Sequence, residues 1–565
     1  MTYADVALRT GLATIVDVLR DNTQRDPGHL ALRFVTRREG GGGSLSRAAL
    51  DAQALAVAAR LSAVTSRGDR VLVLVPPGLD YFAVLFGCFY AGVCAVPLPA
   101  PEPGYPADLK SAGFTGPGKD SGAAAVVTSG EHLESLRELW NAAGGHPVSW
   151  IAAESVAPAE GEGWFPGHLD GDDLALLQYT SGSTGAPKGV MVSHANLMAE
   201  LSTFRAGTRA EQGTSTVCWI PVHHALGLAG HVLLAQLTGG TGVFMPPQDV
   251  AGRPLNWLRE ISRTPGPVLS AAPNFMYERC VTAFDPQECG DLDLSGWRCA
   301  ISGAERIRPE TVDRFCGTYE PYGFSRKSMF AVFGLTETML MVSGGYDLRT
   351  VEVDAAELEC GTACAPVGPR EGLRRQQLSG VGRAAPGVRL AITDPRTHVE
   401  LPENQVGEVW VSGPVVTRGY WRQEEATRET FHAYHDTGEG PFLRTGDLGF
   451  VRHGELVICG RMKELIIIRG RNLHPQDIEA SCQAAHPGLA GAPAAAFSVD
   501  EGDQESLIVV QSLPEGELLD PARVTEQLRR AVARSHEVEP GEIVLVPRSE
   551  IPLTGTGKVR RGEVR

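Results

Sequence analysis

LLQYTSGSTGAPKGVMVSH, residues 176–194, is the stretch on which the reading of this chain turns. It opens as an apolar strand and passes into a run of small and hydroxylated residues: Thr180, Ser181, Gly182, Ser183, Thr184 and Gly185. It then reaches Lys188 and closes on a second β-branched run. Glycines let a backbone approach an anion closely, hydroxyl and N–H groups donate to phosphate oxygens, and the lysine adds a cation. A P-loop would place Ser or Thr directly after its Gly-Lys pair, whereas Lys188 stands between Pro187 and Gly189, so the segment is not a P-loop. A solvated Gly/Ser linker is the bland alternative, and entry from an apolar strand speaks against it.

Around this loop, short β-branched runs alternate with helical patterns. Residues 71–75, 124–128, 216–219, 242–245 and 268–270 read as buried strands, and residues 48–61 and 80–91 as helices. Such alternation predicts α/β layers with largely parallel sheets. The apolar stretch 81–96 is short for a membrane span and reads as a buried helix leading into a buried strand. GGGGS at 40–44 reads as a hairpin tip, and residues 101–120, rich in Gly and Pro, as a surface loop. Near 400–460 short strands (407–412, 449–452, 456–459) predict a β-rich layer; a strand at 465–468 and a helix at 475–485 then open a compact α+β unit. The predicted organisation is a large N-terminal domain, 1–460, of two layered α/β subdomains plus a β-rich part at about 380–460. A small mobile α+β domain, 461–565, follows.

The chain has 565 residues, too many for one core, and its 51 Lys and Arg against 67 Asp and Glu leave a net charge of −16. That acidity speaks against general nucleic-acid or anionic-membrane binding without excluding a small anionic ligand. Eleven cysteines form no framework; Cys360 and Cys364 make a lone C-x3-C without further ligands, so reduced thiols in a cytoplasmic protein are expected. Residues 1–30 carry too many charges for a secretory signal.

The 176–194 segment resembles the phosphate loop of the adenylate-forming superfamily, which contains acyl-CoA synthetases, peptide-synthetase adenylation domains and luciferases. Further segments match in the family's order: SGAE at 302–305, FGLTE at 333–337, RTGDLG at 444–449, GRMKEL at 460–465 and IPLTGTGKVR at 551–560. The resemblance implies that ATP is bound by Thr180, Ser181, Gly182, Ser183, Thr184, Gly185 and Lys188, with Gly303, Ala304 and Glu305 along adenine. It implies that Phe333 stacks on the base beside Gly334 and Thr336, that Asp447 holds the ribose hydroxyls, and that Arg461 contacts ribose or phosphate. Glu337, with Thr184, would hold Mg2+; Lys558 would be the catalytic lysine and Lys463 the hinge. Each residue alone has an ordinary structural reading, and their joint order carries the assignment.

Within the superfamily the chain is most similar to fatty acyl-AMP ligases, through residues 69–101, Gln178, 308–324 and 466–479. Forty-three positions separate Glu337 from Gly380, which accommodates that branch's insertion, here about 346–376. The insertion restrains the C-terminal domain in that branch. The acyl pocket is expected at His223, His224, Ala225 and Gly227 in WIPVHHALGL, with His224 in the place of a catalytic-site histidine and Ala225 where the branch carries an acid. Phe333 replaces the usual tyrosine, and Thr336 and Met339 also depart from the branch.

The resemblance implies ATP- and Mg2+-dependent conversion of a carboxylic acid to an acyl-adenylate, followed by transfer to the phosphopantetheine thiol of an acyl carrier protein. The alternatives are an acyl-CoA synthetase, transfer to an amine or other nucleophile, and a catalytically inactive nucleotide-binding regulator. No nucleic acid and no membrane span are expected, and a monomer or dimer is.

Overall fold

A computed structural model describes residues 13–37, 42–101, 111–180, 187–366, 374–468, 471–501, 504–514, 519–554 and 557–565. Two large sheets carry the N-terminal part. The first has six strands in the order Ser149–Ala152, Ala125–Thr128, Arg70–Leu74, Cys94–Pro97, Leu174–Tyr179 and Gly189–Ser193. Its first five strands run parallel, and the last returns antiparallel from the loop read above. The second has nine strands, with Met329–Phe333, Trp297–Ser302, Val268–Ala272, Ser215–Cys218, Gly242–Phe244 and Leu30–Phe34 parallel and in that order. Antiparallel strands close both edges; one of them, Gly43–Ser46, pairs with Leu30–Phe34, so Gly43 and Ser44 of the expected hairpin tip 40–44 belong to the strand, while residues 40 and 41 lie outside the described residues.

Apolar strands of this kind need cover on both faces, and helices supply it. Leu79–Ala91 is buried at every position from Tyr81 to Tyr90. Its Gly87 admits Val57 of the neighbouring helix, whose Cγ1 would lie 2.5 Å from an added Cβ. The helix ends at Gly92 in the left-handed region and feeds Cys94–Pro97, as the sequence predicts. No helix among the described residues is long and apolar enough to cross a membrane.

One expectation fails. Residues 115–121 form a short helix rather than open loop, with Pro117, Gly118 and Ser121 buried. The bare Gly118 lets the Trp140 ring approach to 2.6 Å of where a Cβ would stand, so this Gly/Pro-rich segment can pack instead of solvating.

An antiparallel sheet of Arg389–Thr393, Gly407–Ser412, Leu443–Arg452 and Glu455–Arg461 forms the β-rich part. Beyond it the hydrophobic core changes. The main cluster ends at Leu456, and a separate one runs from Ile466 to Val538 under the three-stranded sheet Ala494–Glu501, Gln504–Leu513 and Glu542–Pro547. The molecule is thus a mixed α/β protein with a large N-terminal domain and a small C-terminal one.

Candidate active site

Residues 181–186 lie outside the described residues, and with them Ser181, Gly182, Ser183, Thr184 and Gly185. Their frame is described. Thr180 N–H donates to the Lys188 carbonyl at 3.0 Å and Lys188 N–H reaches Thr180 Oγ1 at 3.4 Å, closing the loop's base. The returning strand is held on its other side by Gly419 and Trp421. This brings Lys188 Nζ over the Tyr420 ring, 4.5 Å from its centre. Tyr420 O–H in turn donates to Glu337 Oε1 at 2.7 Å. Burial and the Glu337 carboxylate push the Tyr420 phenol well up, so it remains a donor. Lys188, Tyr420 and Glu337 therefore form one row, and Tyr420 is a member that sequence reasoning missed. Its partner Glu337 lies 83 positions away, so only the fold joins them.

Glu337 sits on the turn Thr336–Thr338 just beyond the strand Met329–Phe333, and its carbonyl accepts from Thr417 N–H at 3.0 Å and Thr417 Oγ1 at 2.9 Å. The neighbouring parallel strand Trp297–Ser302 ends in Gly303 and Ala304, the latter at φ 63°. Both glycines here are sterically required: a Cβ on Gly303 would lie 2.4 Å from Val332 Cγ1, and one on Gly334 would lie 1.4 Å from the Leu340 carbonyl oxygen. Glu305 Oε1 accepts from Phe275 N–H at 2.6 Å, and burial raises its pKa. Ser302 Oγ is buried without a partner among the described residues. The carboxyl ends of parallel strands are where α/β sheets expose loops able to receive a ligand.

Asp447 and Arg461 face each other across the β-rich sheet, with Arg461 Nε 3.0 Å from Asp447 Oδ1. Burial raises the Asp447 pKa against the opposing pull of Arg461 and Lys558. Lys463 follows on the turn Met462–Glu464, between the two hydrophobic cores.

Lys558 arrives from the other end of the chain on a tight hairpin. Leu553 pairs with Val559, Thr554 N–H donates to the Lys558 carbonyl at 2.7 Å, and Gly557 turns at φ 84°. Gly557 packs on the Phe275 ring, 2.7 Å from where a Cβ would stand, which seats the hairpin on the large domain. Lys558 keeps an open side toward solvent, yet protein crowds its ammonium. Desolvation and Arg461 lower its pKa, while Glu305, Asp447 and Glu464 pull upward. His224 lies within the same field, since Lys558 helps depress it.

His224 Nδ1 accepts from Leu226 N–H at 3.3 Å, which assigns the ring proton to Nε2. Burial, then Lys558 and His223, lower its pKa to about 3; burial lowers that of His223 to about 4. Both rings are therefore neutral at ordinary pH. The His223 carbonyl accepts from Gln178 Nε2, tying this turn to the strand that enters the phosphate loop. Ala225 is buried, and Gly227 is required by packing, since its Cβ would fall 2.4 Å from the Pro221 carbonyl oxygen.

The segment expected as an insertion forms a hairpin of Thr350–Asp354 and Arg375–Ser379 with the helix Ala355–Glu359; residues 367–373 lie outside the described residues. Its Glu359 is a junction. Oε2 accepts from Arg374 at 2.9 Å and from Arg471 of the C-terminal domain at 2.8 Å, and its carbonyl from Asn472 at 3.2 Å. Arg306 with Asp477 and Arg308 with Gln483 (3.0 Å) add contacts between the two domains. Cys360 and Cys364 in this segment are exposed free thiols.

This arrangement can be set beside known proteins. The AMP-binding enzyme family matches residues 19–421. The chain belongs to that family. It is similar over nearly its full length to proteins named as ligases. It is 37% identical to the medium-chain-fatty-acid–[acyl-carrier-protein] ligase JamA of Moorena producens, over 98% of this chain and 94% of that one. It is 33% identical to the long-chain-fatty-acid–AMP ligase FadD32 of Mycolicibacterium smegmatis, over 94% and 90%. Among solved structures, the fatty acyl-adenylate ligase of L. pneumophila in complex with acyl adenylate and pyrophosphate superposes with a TM-score of 0.75 at 31% identity, over 96% and 94%. The resemblance read from the sequence, to adenylate-forming enzymes and among them the fatty acyl-AMP ligases, is borne out.

Proposed function

We propose that the chain converts a carboxylic acid of fatty or related type to its acyl-adenylate, releasing pyrophosphate, and then passes the acyl group to the phosphopantetheine thiol of an acyl carrier protein. The observation that carries this is the gathering of Lys558, Glu305, Asp447, Arg461 and His224 from four distant parts of the sequence into one electrostatic neighbourhood. A nucleotide-binding regulator has no need of a lysine delivered there by a separate domain.

The chemistry asks an anionic carboxylate to attack the α-phosphate of ATP, so the site must offset repulsion and align the groups. Lys558 supplies a cation beside the carboxylate and α-phosphate oxygens as negative charge passes from the attacking carboxylate toward the leaving pyrophosphate. Neutral His224 offers Nε2–H to the acid without competing as a second cation. Asp447 would accept from the ribose hydroxyls, Phe333 would stack on adenine, and Lys188 would meet the β- and γ-phosphates. A hard divalent cation fits the Glu337 carboxylate, of which, among the described residues, Oε1 is engaged by Tyr420. Mg2+, when bound there, neutralises phosphate charge; Thr184 is its second proposed ligand.

We also assign 461–565 as a lid that turns about Lys463 between the two half-reactions. The Glu359 junction supports a lid restrained near the adenylating posture, and this favours carrier-protein transfer over CoA. The free thiols support a reducing, cytoplasmic setting.

The test is pyrophosphate exchange over a panel of acids, followed by addition of holo carrier protein or CoA with mass detection of the acylated product. Exchange with at least one fatty acid and acylation of the carrier are expected. Silence with every acid would return the regulator reading, and efficient acyl-CoA formation would overturn the assigned acceptor.

A further inference from the structure

Glu200 is a carboxyl group that the chemistry above does not use. It lies on the helix His194–Thr208 and has no exposed surface. That helix begins where the phosphate-loop strand ends: Ser193 closes the strand and caps the helix, accepting from Asn196 N–H at 3.2 Å. Around Glu200 the helix buries Leu197, Leu201 and Phe204, and it packs on the π-helix Leu228–Leu233, whose one titratable side chain, His231, bonds to Leu226 and Ala271 among the described residues. Glu200 makes no ion pair among the described residues. Burial pushes its pKa well above the ordinary carboxylate range, against the pull of one backbone N–H.

That N–H belongs to Met341, 2.9 Å from Glu200 Oε1, while Oε2 has no partner among the described residues. Just before Met341 the chain makes a γ-turn of the rarer kind. Leu340 N–H donates to the Thr338 carbonyl at 2.8 Å across a Met339 held at φ 65° and ψ −47°. A non-glycine residue keeps such a conformation only where its surroundings enforce it. Met339 is fully buried, and Glu337 stands two residues upstream.

We propose that Glu200, by holding Met341 N–H, fixes this γ-turn and through it the Glu337 carboxylate, and so acts as a positioning residue for the metal and phosphate end of the site. This rests on the adenylation reading above. Through Glu200 the helix that continues the phosphate-loop strand is fastened to the turn bearing Glu337, so this buried hydrogen bond adds a second tie, beside that of Tyr420, between the two halves of the triphosphate site. Oε1 alone carries the hold, which an amide oxygen can reproduce.

The experiment compares Glu200→Gln and Glu200→Leu in the full chain. Pyrophosphate exchange is followed as a function of Mg2+, ATP and acid, with melting temperature alongside. Glu200→Gln should stay within about twofold of wild type in every parameter. Glu200→Leu should raise the Mg2+ concentration for half-maximal rate and lower kcat/KM for ATP about tenfold or more, with KM for the acid changed much less. Should the leucine variant not fold, Glu200→Asn, one methylene too short to reach Met341, gives the same readout. The inference is overturned if the Gln variant is as impaired as the Leu or Asn variant. It is also overturned if Leu or Asn lowers the melting temperature while leaving the Mg2+ dependence at its wild-type value. A wild-type chain silent with every acid would instead strike the adenylation reading itself.

Discussion

Removing one oxygen atom from Tyr420 tests the row of Lys188, Tyr420 and Glu337, which the proposed function sets between the phosphates and the metal. Tyr420→Phe deletes the donor 2.7 Å from Glu337 Oε1 but keeps the ring under Lys188 at 4.5 Å. A hydrogen bond to a charged partner contributes about 1.5–3 kcal/mol, or roughly a 10- to 150-fold change in rate or binding constant. The loss should fall on kcat/KM for ATP and on the Mg2+ requirement, because Glu337 would lose the contact that orients its carboxylate. Tyr420→Leu also removes the aromatic face. A partly shielded cation–π contact contributes about 0.5–2 kcal/mol, so a further loss of roughly 2- to 30-fold is expected. Pyrophosphate exchange at several Mg2+ concentrations, with melting curves for both variants, separates these effects. An unchanged Mg2+ dependence in Tyr420→Phe would refute the reasoning, as would equal defects in both variants tracking a common loss of stability.

Lys558→Ala should reduce adenylation by two or more orders of magnitude while leaving ATP affinity within a few-fold, checked by exchange kinetics and by calorimetric titration. Because the Lys558 pKa is lowered, kcat/KM for exchange should fall with rising pH earlier than for an ordinary lysine, and Lys558→Arg should abolish that alkaline limb if it retains activity. With a pKa of about 3, His224 should contribute no inflection between pH 5.5 and 8 in the same profile. Lys463→Pro should slow acyl transfer more than adenylation in single-turnover measurements, and equal losses in both would count against the hinge. Glu359→Ala removes the acceptor shared by Arg374 and Arg471; hydrogen exchange and limited proteolysis across 461–465 should rise, and acylation of CoA should become detectable.

Much of the fold was legible because local pattern and tertiary role coincide. The run 71–75 is β-branched and is buried on both faces as Arg70–Leu74; the 81–96 stretch became a helix ending on Gly92 and a strand, as periodicity and the glycine imply. What no periodicity carries is partnership. The sharing of strands between two sheets depends on pairs such as Leu32 with Gly242, separated by nearly half of the large domain. The same holds in the site. Asp447, Arg461 and Lys558 stand in recognisable motifs, but Tyr420 follows a plain Arg-Gly pair, and its importance arises where the chain crosses Glu337. Glu200 occupies a helix whose neighbouring residues are largely apolar, the one local hint that it is buried. Residues 115–121 misled because Gly and Pro usually mark exposed turns, whereas here the missing side chain of Gly118 admits an indole.

The seat of the Lys558 hairpin on Phe275 has a consequence for leakage. An acyl-adenylate is a mixed anhydride, and water competes with the intended acceptor for it. On the lid assignment proposed above, the small domain would serve as a stopper as well as a reagent while Gly557 rests on that ring, and would keep the adenylate dry. Each withdrawal that admits an acceptor also admits water. The fraction of ATP wasted per acyl group delivered should therefore follow how long the stopper stays out. A side chain at Gly557, by keeping it ajar, should turn a faithful ligase into a slow acid-stimulated ATP pyrophosphohydrolase.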